Sequence, residues 1–196
     1  AREKGWNIHG ETCTQYFFID YTHLERPNFE GAKSVYTPPP RDKANQDVLW
    51  NAVRTDVISA ISTDHCAFLW DGQKTLGRDD FSKIPNGGPG LENRLHMIHE
   101  FGVRAGRISL NRMVELLATN PAKLFGLYPR NGTIAPGSDA DIVIFDPETV
   151  GPDVKTIGED RIPGQRRWAS RPKGIVATIV NGVPIETGQT NVNITQ

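Results

Sequence analysis

Apolar positions in the first half of the chain recur in short blocks, separated by proline- and glycine-rich breaks. Val57-Ile58-Ser59-Ala60-Ile61-Ser62-Thr63 is β-branched and uncharged, which predicts a strand buried on both faces, as in a parallel sheet. Lys43 to Asp56 places Val48, Leu49, Ala52 and Val53 on one face and predicts a helix. Ser34 to Thr37 is a short strand candidate, stopped by Pro38-Pro39-Pro40 because proline cannot donate to a ladder. Strand, helix and strand in that order make a βαβ unit. Trp6 to Phe18 shows no clear period, and residues 21–33 read as loop.

Further along, Leu91 to Phe101 predicts a helix with Leu91, Leu95 and Ile98 on one stripe. Ser109 is placed to cap a helix over Leu110 to Ala118. Asn120 is placed to cap a short one, with Pro121 first and Gly126 near its end. Between these blocks, residues 71–90 form a long loop rich in Gly, Asp and Pro, a kind of segment that is usually functional or mobile. After Tyr128 the pattern turns to strands, at Ala140–Asp146 and Ile175–Val180. Asn181-Gly182 then signals a type I′ hairpin into Val183-Pro184-Ile185. Residues 147–174 carry no clear element. The expected organisation is an α/β part followed by a small β part. Ala1 to Gly5 reads as the last turn of a helix closed by glycine, as expected of a chain that begins inside a larger protein.

The length of 196 residues fits one large domain or two modest ones. Hydrophobic residues at 37% and charged residues at 23% are ordinary for a globular chain, and no apolar run approaches the ~20 residues of a membrane span. Lys and Arg number 22 against 23 Asp and Glu, so the net charge of −1 gives no electrostatic case for nucleic acid or an anionic membrane. Cys13 and Cys66 are too few for a disulfide framework and fit a reducing compartment. With no signal peptide at the start, the expected location is cytoplasmic.

Asp64 follows the predicted buried strand, on the edge of a parallel α/β fold where active sites collect. A carboxylate there can hold a metal or act as a general base, or it can cap a helix or pair within a loop. His65 and Cys66 adjoin it, but consecutive residues at a strand end point in different directions, which argues against a nucleophile–base pair. Cys66 reads as a small buried residue and His65 as structural. His96 and His99 share a helix face at a spacing open to zinc, yet no third ligand stands nearby, so they read as surface or half-buried histidines. His9 and His23 are isolated.

Pro85-Asn86-Gly87-Gly88-Pro89-Gly90 would let a ligand approach the backbone, or is a plain turn. It lacks the Lys-Ser/Thr of a phosphate loop. Thr37, before three prolines, could offer its N–H and C=O to a ligand.

Together these segments resemble the cyclic amidohydrolases of the dihydropyrimidinase and D-hydantoinase family. The matching text is GETCTQYFFIDYTHLERPNFEGAK at 10–33, YTPPPR at 36–41, STDHCAF at 62–68 and GRDDFSKIPNGGPGLENRL at 77–95. It continues with GRISLNRMVELLATNPAKLFGLYPRNGTI at 106–134 and GSDADIVIFDP at 137–147.

The resemblance implies an α/β fold, the C-terminal portion of a (β/α)8 TIM barrel over residues 1–130. It further implies strands of a small composite β-sandwich over residues 131–196. It implies a binuclear zinc centre that opens hydantoin or dihydropyrimidine rings by hydroxide attack. Asp64 matches the aspartate that binds one metal, takes the proton of the bridging hydroxide and passes it to the leaving nitrogen. Thr37 matches the position, usually serine, whose backbone groups bind the ring amide. Asn86 matches the residue whose backbone carbonyl receives the ring N–H.

The His-x-His pair, the bridging lysine and the remaining histidines of that family match nothing in this chain and would lie upstream of Ala1. The implied partners are a small cyclic amide, the missing N-terminal part of the barrel and further copies in a homotetramer. Residues 168–188 look more like the end of N-acyl-D-amino-acid deacylases. That keeps a deacylase or allantoinase-like activity as an alternative. Non-enzymatic dihydropyrimidinase-related scaffolds, which lack an aspartate at this point, are another.

Overall fold

The computed structural model describes residues 1–159, 166–169 and 172–187. The chain divides into two compact units, Ala1–Pro121 and Ala122–Gln196.

In the first unit, strand β1 (Glu11–Cys13) pairs in parallel with β2 (Ala60–Ser62), Thr12 standing opposite Ile61. Helix α1 (Ala44–Arg54) lies in the crossover between them. A βαβ unit therefore exists, but its first strand is Glu11–Cys13. The expected strand at Ser34–Thr37 is irregular chain after a 3₁₀ turn over Glu30–Ser34. The apolar look of Val35 and Tyr36 comes from packing rather than pairing: Tyr36 is buried, and a side chain on Gly88 would strike its ring.

Helix α2 (Arg94–Ile98) widens into a π turn over His99–Arg104. It begins later than the apolar stripe implied, and Leu91 is left exposed. Helix α3 (Leu110–Val114) is capped as predicted, the Ser109 hydroxyl accepting from the Arg112 N–H at 3.1 Å. It runs through a π turn (Glu115–Thr119) into α4 (Asn120–Leu124). Asn120 has helical backbone angles and so is not the cap expected of it; its side chain instead donates to the Ser59 carbonyl at 2.9 Å. Pro121 has no N–H to give, and the widened turn lies where a regular ladder would be interrupted.

The core of this unit is Val53, Ile61, Ile98, Met113 and Leu116, all fully buried. Phe17 stacks on Trp50 with ring centroids 4.4 Å apart. Arg112 closes the base: Nε donates to the Val53 carbonyl at 2.7 Å, and Nη2 to the Ile58 carbonyl at 3.1 Å and Asp56 Oδ1 at 2.8 Å.

The second unit is antiparallel. Strand β3 (Ile142–Phe145) pairs with β8 (Ile175–Val180), and β8 pairs with β9 (Val183–Thr187). Asn181 and Gly182 both have positive φ, 50° and 78°, the signature of the predicted type I′ turn. Residues 147–174, read as featureless, hold β4 (Gly151–Pro152), β5 (Thr156–Glu159), β6 (Arg166–Ala169) and β7 (Pro172–Lys173). They pair β4–β7 and β5–β6, nested inside the β3–β8 pair. Their proline, glycine and charge masked the strands because two of them are only two residues long. Of the deacylase-like segment 168–188, residues 170–171 and 188 lie outside the described residues.

Candidate active site at the carboxyl end of the parallel strands

The β1 strand is polar because it faces a cleft. Glu11, Thr12 and Cys13 line a cavity of ≈ 590 Å³ together with Tyr16, Thr37 and Asp64. This is why Trp6 to Phe18 showed no apolar period. The structure thus brings together Thr37 and Asp64. Asn86 is not among the cleft-lining residues and stands exposed on its loop.

Asp64 comes two residues after β2, solvent-exposed, with φ of 45°. Aspartate tolerates this left-handed conformation better than most residues, and the turn ends the strand beside the cleft. The residues that follow are tied to the glycine loop. The Cys66 N–H donates to the Gly88 carbonyl at 3.1 Å, and His65 bridges Gly88 in parallel. The N–H groups of Gly90 and Leu91 both donate to His65 Nδ1, at 3.1 and 3.3 Å. With Nδ1 occupied as acceptor, the neutral ring carries its proton on Nε2. His65 is structural, as expected. Cys66 is exposed, contrary to the expectation of a small buried residue, since the loop covers its backbone rather than its thiol.

The glycine loop serves the protein's own packing. Gly87 has φ of 135°, and a Cβ there would lie 2.8 Å from both the Cβ and the carbonyl oxygen of Cys66. Its N–H donates to the Val35 carbonyl at 2.9 Å, which ties the loop to the segment before Thr37. On the other side, the Tyr16 hydroxyl donates to the Pro38 carbonyl at 2.8 Å. Lys74, almost wholly buried, donates from Nζ to the Pro85 carbonyl at 2.6 Å.

Below Asp64, the Ser62 hydroxyl donates to Glu11 Oε1 at 2.5 Å and lies 3.2 Å from Cys13 Sγ. Burial pushes the Cys13 thiol up; the Ser62 contact opposes this, and the Asp64 and Glu11 carboxylates add to the rise. Burial also raises the Tyr16 phenol, reinforced by Cys13, Asp64 and Tyr36. Both groups stay protonated near neutrality, so Cys13 is no thiolate nucleophile. The exposed carboxylates of Asp64 and Glu11 both line the cleft.

His96 is half-buried and His99 buried. Burial lowers His96, against a backbone hydrogen bond with Glu92. Among the described residues no cluster of three or more His, Cys, Asp or Glu could hold a metal ion.

Glu11, Tyr16 and Lys74 were not singled out from sequence. For Glu11 the available signal is its i, i+2 spacing with Cys13, which puts both on one face of a strand. Tyr16 and Lys74 act on distant backbone carbonyls, and no local pattern marks that.

The pattern of the amidohydrolase family matches residues 31–185. A D-hydantoinase of Rhizobium radiobacter is 56% identical over 148 residues, covering 76% of this chain and 32% of the relative. A D-phenylhydantoinase of Escherichia coli is 44% identical over 147 residues, 75% of this chain and 32% of that protein. The chain therefore spans about a third of the length of these curated relatives. Among solved structures, a dihydropyrimidinase from Brevibacillus agri superposes with a TM-score of 0.80 at 44% identity, over 97% of this chain and 42% of that one. A D-hydantoinase from a Bacillus species gives 0.78 at 47% identity, over 94% and 41%. With the family pattern running through both units and these relatives around it, the chain belongs to the amidohydrolase family.

Proposed function

We propose that this chain supplies the C-terminal part of an enzyme that hydrolyses a C–N bond in cyclic amide rings, hydantoins and dihydropyrimidines. The observation that carries the reading is the meeting of Asp64 and Thr37 on one cleft, beside the carboxyl ends of two parallel strands, in a chain 56% identical to a D-hydantoinase.

In this reading residues 1–130 are the last part of a (β/α)8 barrel and residues 131–196 are strands of a β-sandwich. A two-stranded parallel sheet supports it, because parallel strands occur in larger sheets covered on both faces. The remaining strands would come from the two-thirds of the relatives' length that this chain does not span. Free Cys13 and Cys66 favour a cytoplasmic location, and the family resemblance favours a homotetramer.

Amidohydrolases generally use metal ions, and a zinc pair is part of the proposal. Among the described residues the donor set fits one ligand position, Asp64; the other ligands would lie upstream. When bound, the metal would polarise the scissile carbonyl and acidify water.

The steps this chain's residues perform are three. The backbone groups of Thr37 hold the ring amide. The Asn86 carbonyl accepts the ring N–H. The Asp64 carboxylate takes a proton from the attacking water as its oxygen bonds to the ring carbonyl carbon. It returns that proton to the ring nitrogen as the C–N bond breaks, leaving an open chain with a new carboxyl group.

The test joins this chain to the upstream segment of the Rhizobium radiobacter D-hydantoinase to give a complete enzyme. Asp64→Ala should lower hydantoin opening by at least ~100-fold, the scale of a lost general base. Near-normal turnover would remove Asp64 from the chemistry. Faster turnover of N-acyl-D-amino acids than of hydantoins would favour a deacylase instead.

A further inference from the structure

Lys74 is the most deeply buried lysine among the described residues, only 4% exposed. Its Nζ donates to the Pro85 carbonyl at 2.6 Å and lies 5.5 Å from the centre of the Phe68 ring. Among the described residues no carboxylate pairs with it: burial lowers its pKa, and the nearby Cys66 thiol opposes that. Burying an ammonium group with one neutral acceptor is costly, and an apolar side chain of similar length would fill the space more cheaply.

What the lysine does instead is close a loop. It sits in a 3₁₀ turn over Lys74–Gly77 and reaches across a second one, Phe81–Lys83, to the residue before Asn86. The far side of that residue is fixed too, by the Gly87 N–H on the Val35 carbonyl and by the packing of Gly87 on Cys66. The Asn86 carbonyl belongs to the peptide unit of that Gly87 N–H, one Cα beyond the unit whose Pro85 carbonyl Lys74 holds. Asn86 is exposed, and no side-chain hydrogen bond of its own fixes it among the described residues.

We propose that Lys74 is a positioning residue for substrate: by gripping the Pro85 carbonyl it fixes the chain entering Asn86, and together with the Gly87–Val35 bond on the other side it sets the direction of the Asn86 carbonyl that receives the ring N–H. The inference rests on the reading of Asn86 as a substrate-binding residue. It assigns Lys74 no contact with the reacting atoms, so its effect falls on binding rather than on the chemical step.

The experiment uses the joined enzyme described above, as wild type, Lys74→Met and Lys74→Arg. The substrates are hydantoin and hydantoins methylated at one or the other ring nitrogen. Wild type should discriminate against at least one methylated ring by about tenfold in KM, the scale of one lost hydrogen bond. In Lys74→Met the KM for hydantoin should rise about tenfold, and that discrimination should fall towards unity. The kcat and the metal content should hold within about threefold, because Lys74 is kept out of the chemistry. Lys74→Arg, which keeps charge and donor, should recover part of the lost affinity.

Unchanged KM and unchanged discrimination in Lys74→Met would overturn the role of Lys74 and leave Asn86 standing. A wild type that accepts both methylated rings as readily as hydantoin would overturn the Asn86 reading itself. If Lys74→Met does not fold, Lys74→Gln decides by the same readings: its shorter, uncharged side chain lacks the reach of Nζ, so a wild-type KM and wild-type discrimination in that variant overturn the proposal.

Discussion

Thr37 and Asp64 face one cleft although they come from different parts of the chain, Thr37 from an irregular segment ahead of α1 and Asp64 from the end of β2. Their roles in the proposed reaction are of different kinds, and substitutions should separate them. If Thr37 binds the ring through its backbone, its side chain is dispensable. Thr37→Ser and Thr37→Ala should keep kcat/KM within about threefold, because no transition-state interaction is removed. Asp64→Asn keeps the shape of its carboxylate but cannot carry a proton, and should lose ~100-fold or more in kcat. Steady-state kinetics on the joined enzyme would read both; a Thr37→Ala loss as large as that of Asp64→Asn would place the threonine side chain in the chemistry.

The Tyr16 hydroxyl holds the Pro38 carbonyl at 2.8 Å, directly after Thr37. Tyr16→Phe removes that donor and leaves the ring. The net worth of such a bond is about 1 kcal/mol, equivalent to roughly fivefold in affinity. KM for hydantoin should rise by about that factor with kcat nearly unchanged, the pattern of a group that orients substrate-binding backbone. A loss in kcat with KM constant would instead place the phenol in the chemical step.

How much of this could be read from residues alone follows from where each signal is stored. Helix α1 was legible because Val53 and its apolar neighbours repeat at helical spacing, and the Ser109 cap because its hydroxyl acts only three residues away. The hairpin at Asn181-Gly182 was legible because the turn demands two positive φ angles that those residues supply. Strand β1 was hidden because Glu11 and Cys13 face a polar cleft, so no apolar alternation marks them. The Ser34–Thr37 segment misled for the opposite reason: Tyr36 is apolar and buried by packing on Gly88, without a partner strand. Asp64 was found by its place after a strand. Tyr16, Lys74 and Glu11 were not, since their partners Pro38, Pro85 and Ser62 are distant in sequence.

Gly87 offers a contrast with Gly106. Both have positive φ, 135° and 71°, but a side chain on Gly106 meets open space, whereas one on Gly87 meets the Cys66 backbone at 2.8 Å. Gly106→Ala should cost about 1 kcal/mol, the conformational term alone. Gly87→Ala should cost about 3 kcal/mol or more, because the strand end after Asp64 must also move. Thermal unfolding of the two variants should separate them by several degrees; equal losses would mean that the glycine loop does not press on Cys66 as described.

Arg112, Asp56 and Arg2 give the first unit a dependence on acid. Asp56 accepts from Arg112 Nη2 at 2.8 Å and from Arg2 Nη2 at 2.6 Å. Burial alone would raise its carboxyl, but the hydrogen bonds and charges of Arg2 and Arg112 outweigh that and hold it below the ordinary aspartate value of 3.8. A carboxyl lowered by folding contributes stability that is fully present above the unfolded value and is lost as pH falls through the folded one. Asp56→Asn keeps the size of the side chain and removes the charge. The melting temperature of wild type should therefore exceed that of Asp56→Asn by a constant margin at and above about pH 5, and the margin should shrink below about pH 4. The margin should also narrow in high salt, because Asp56 is partly exposed and screening reaches it. The check is a pair of melting curves taken at pH 7 and at pH 3. A margin equal at both would show that the two arginines hold Asp56 by shape alone and that its charge adds nothing to the fold.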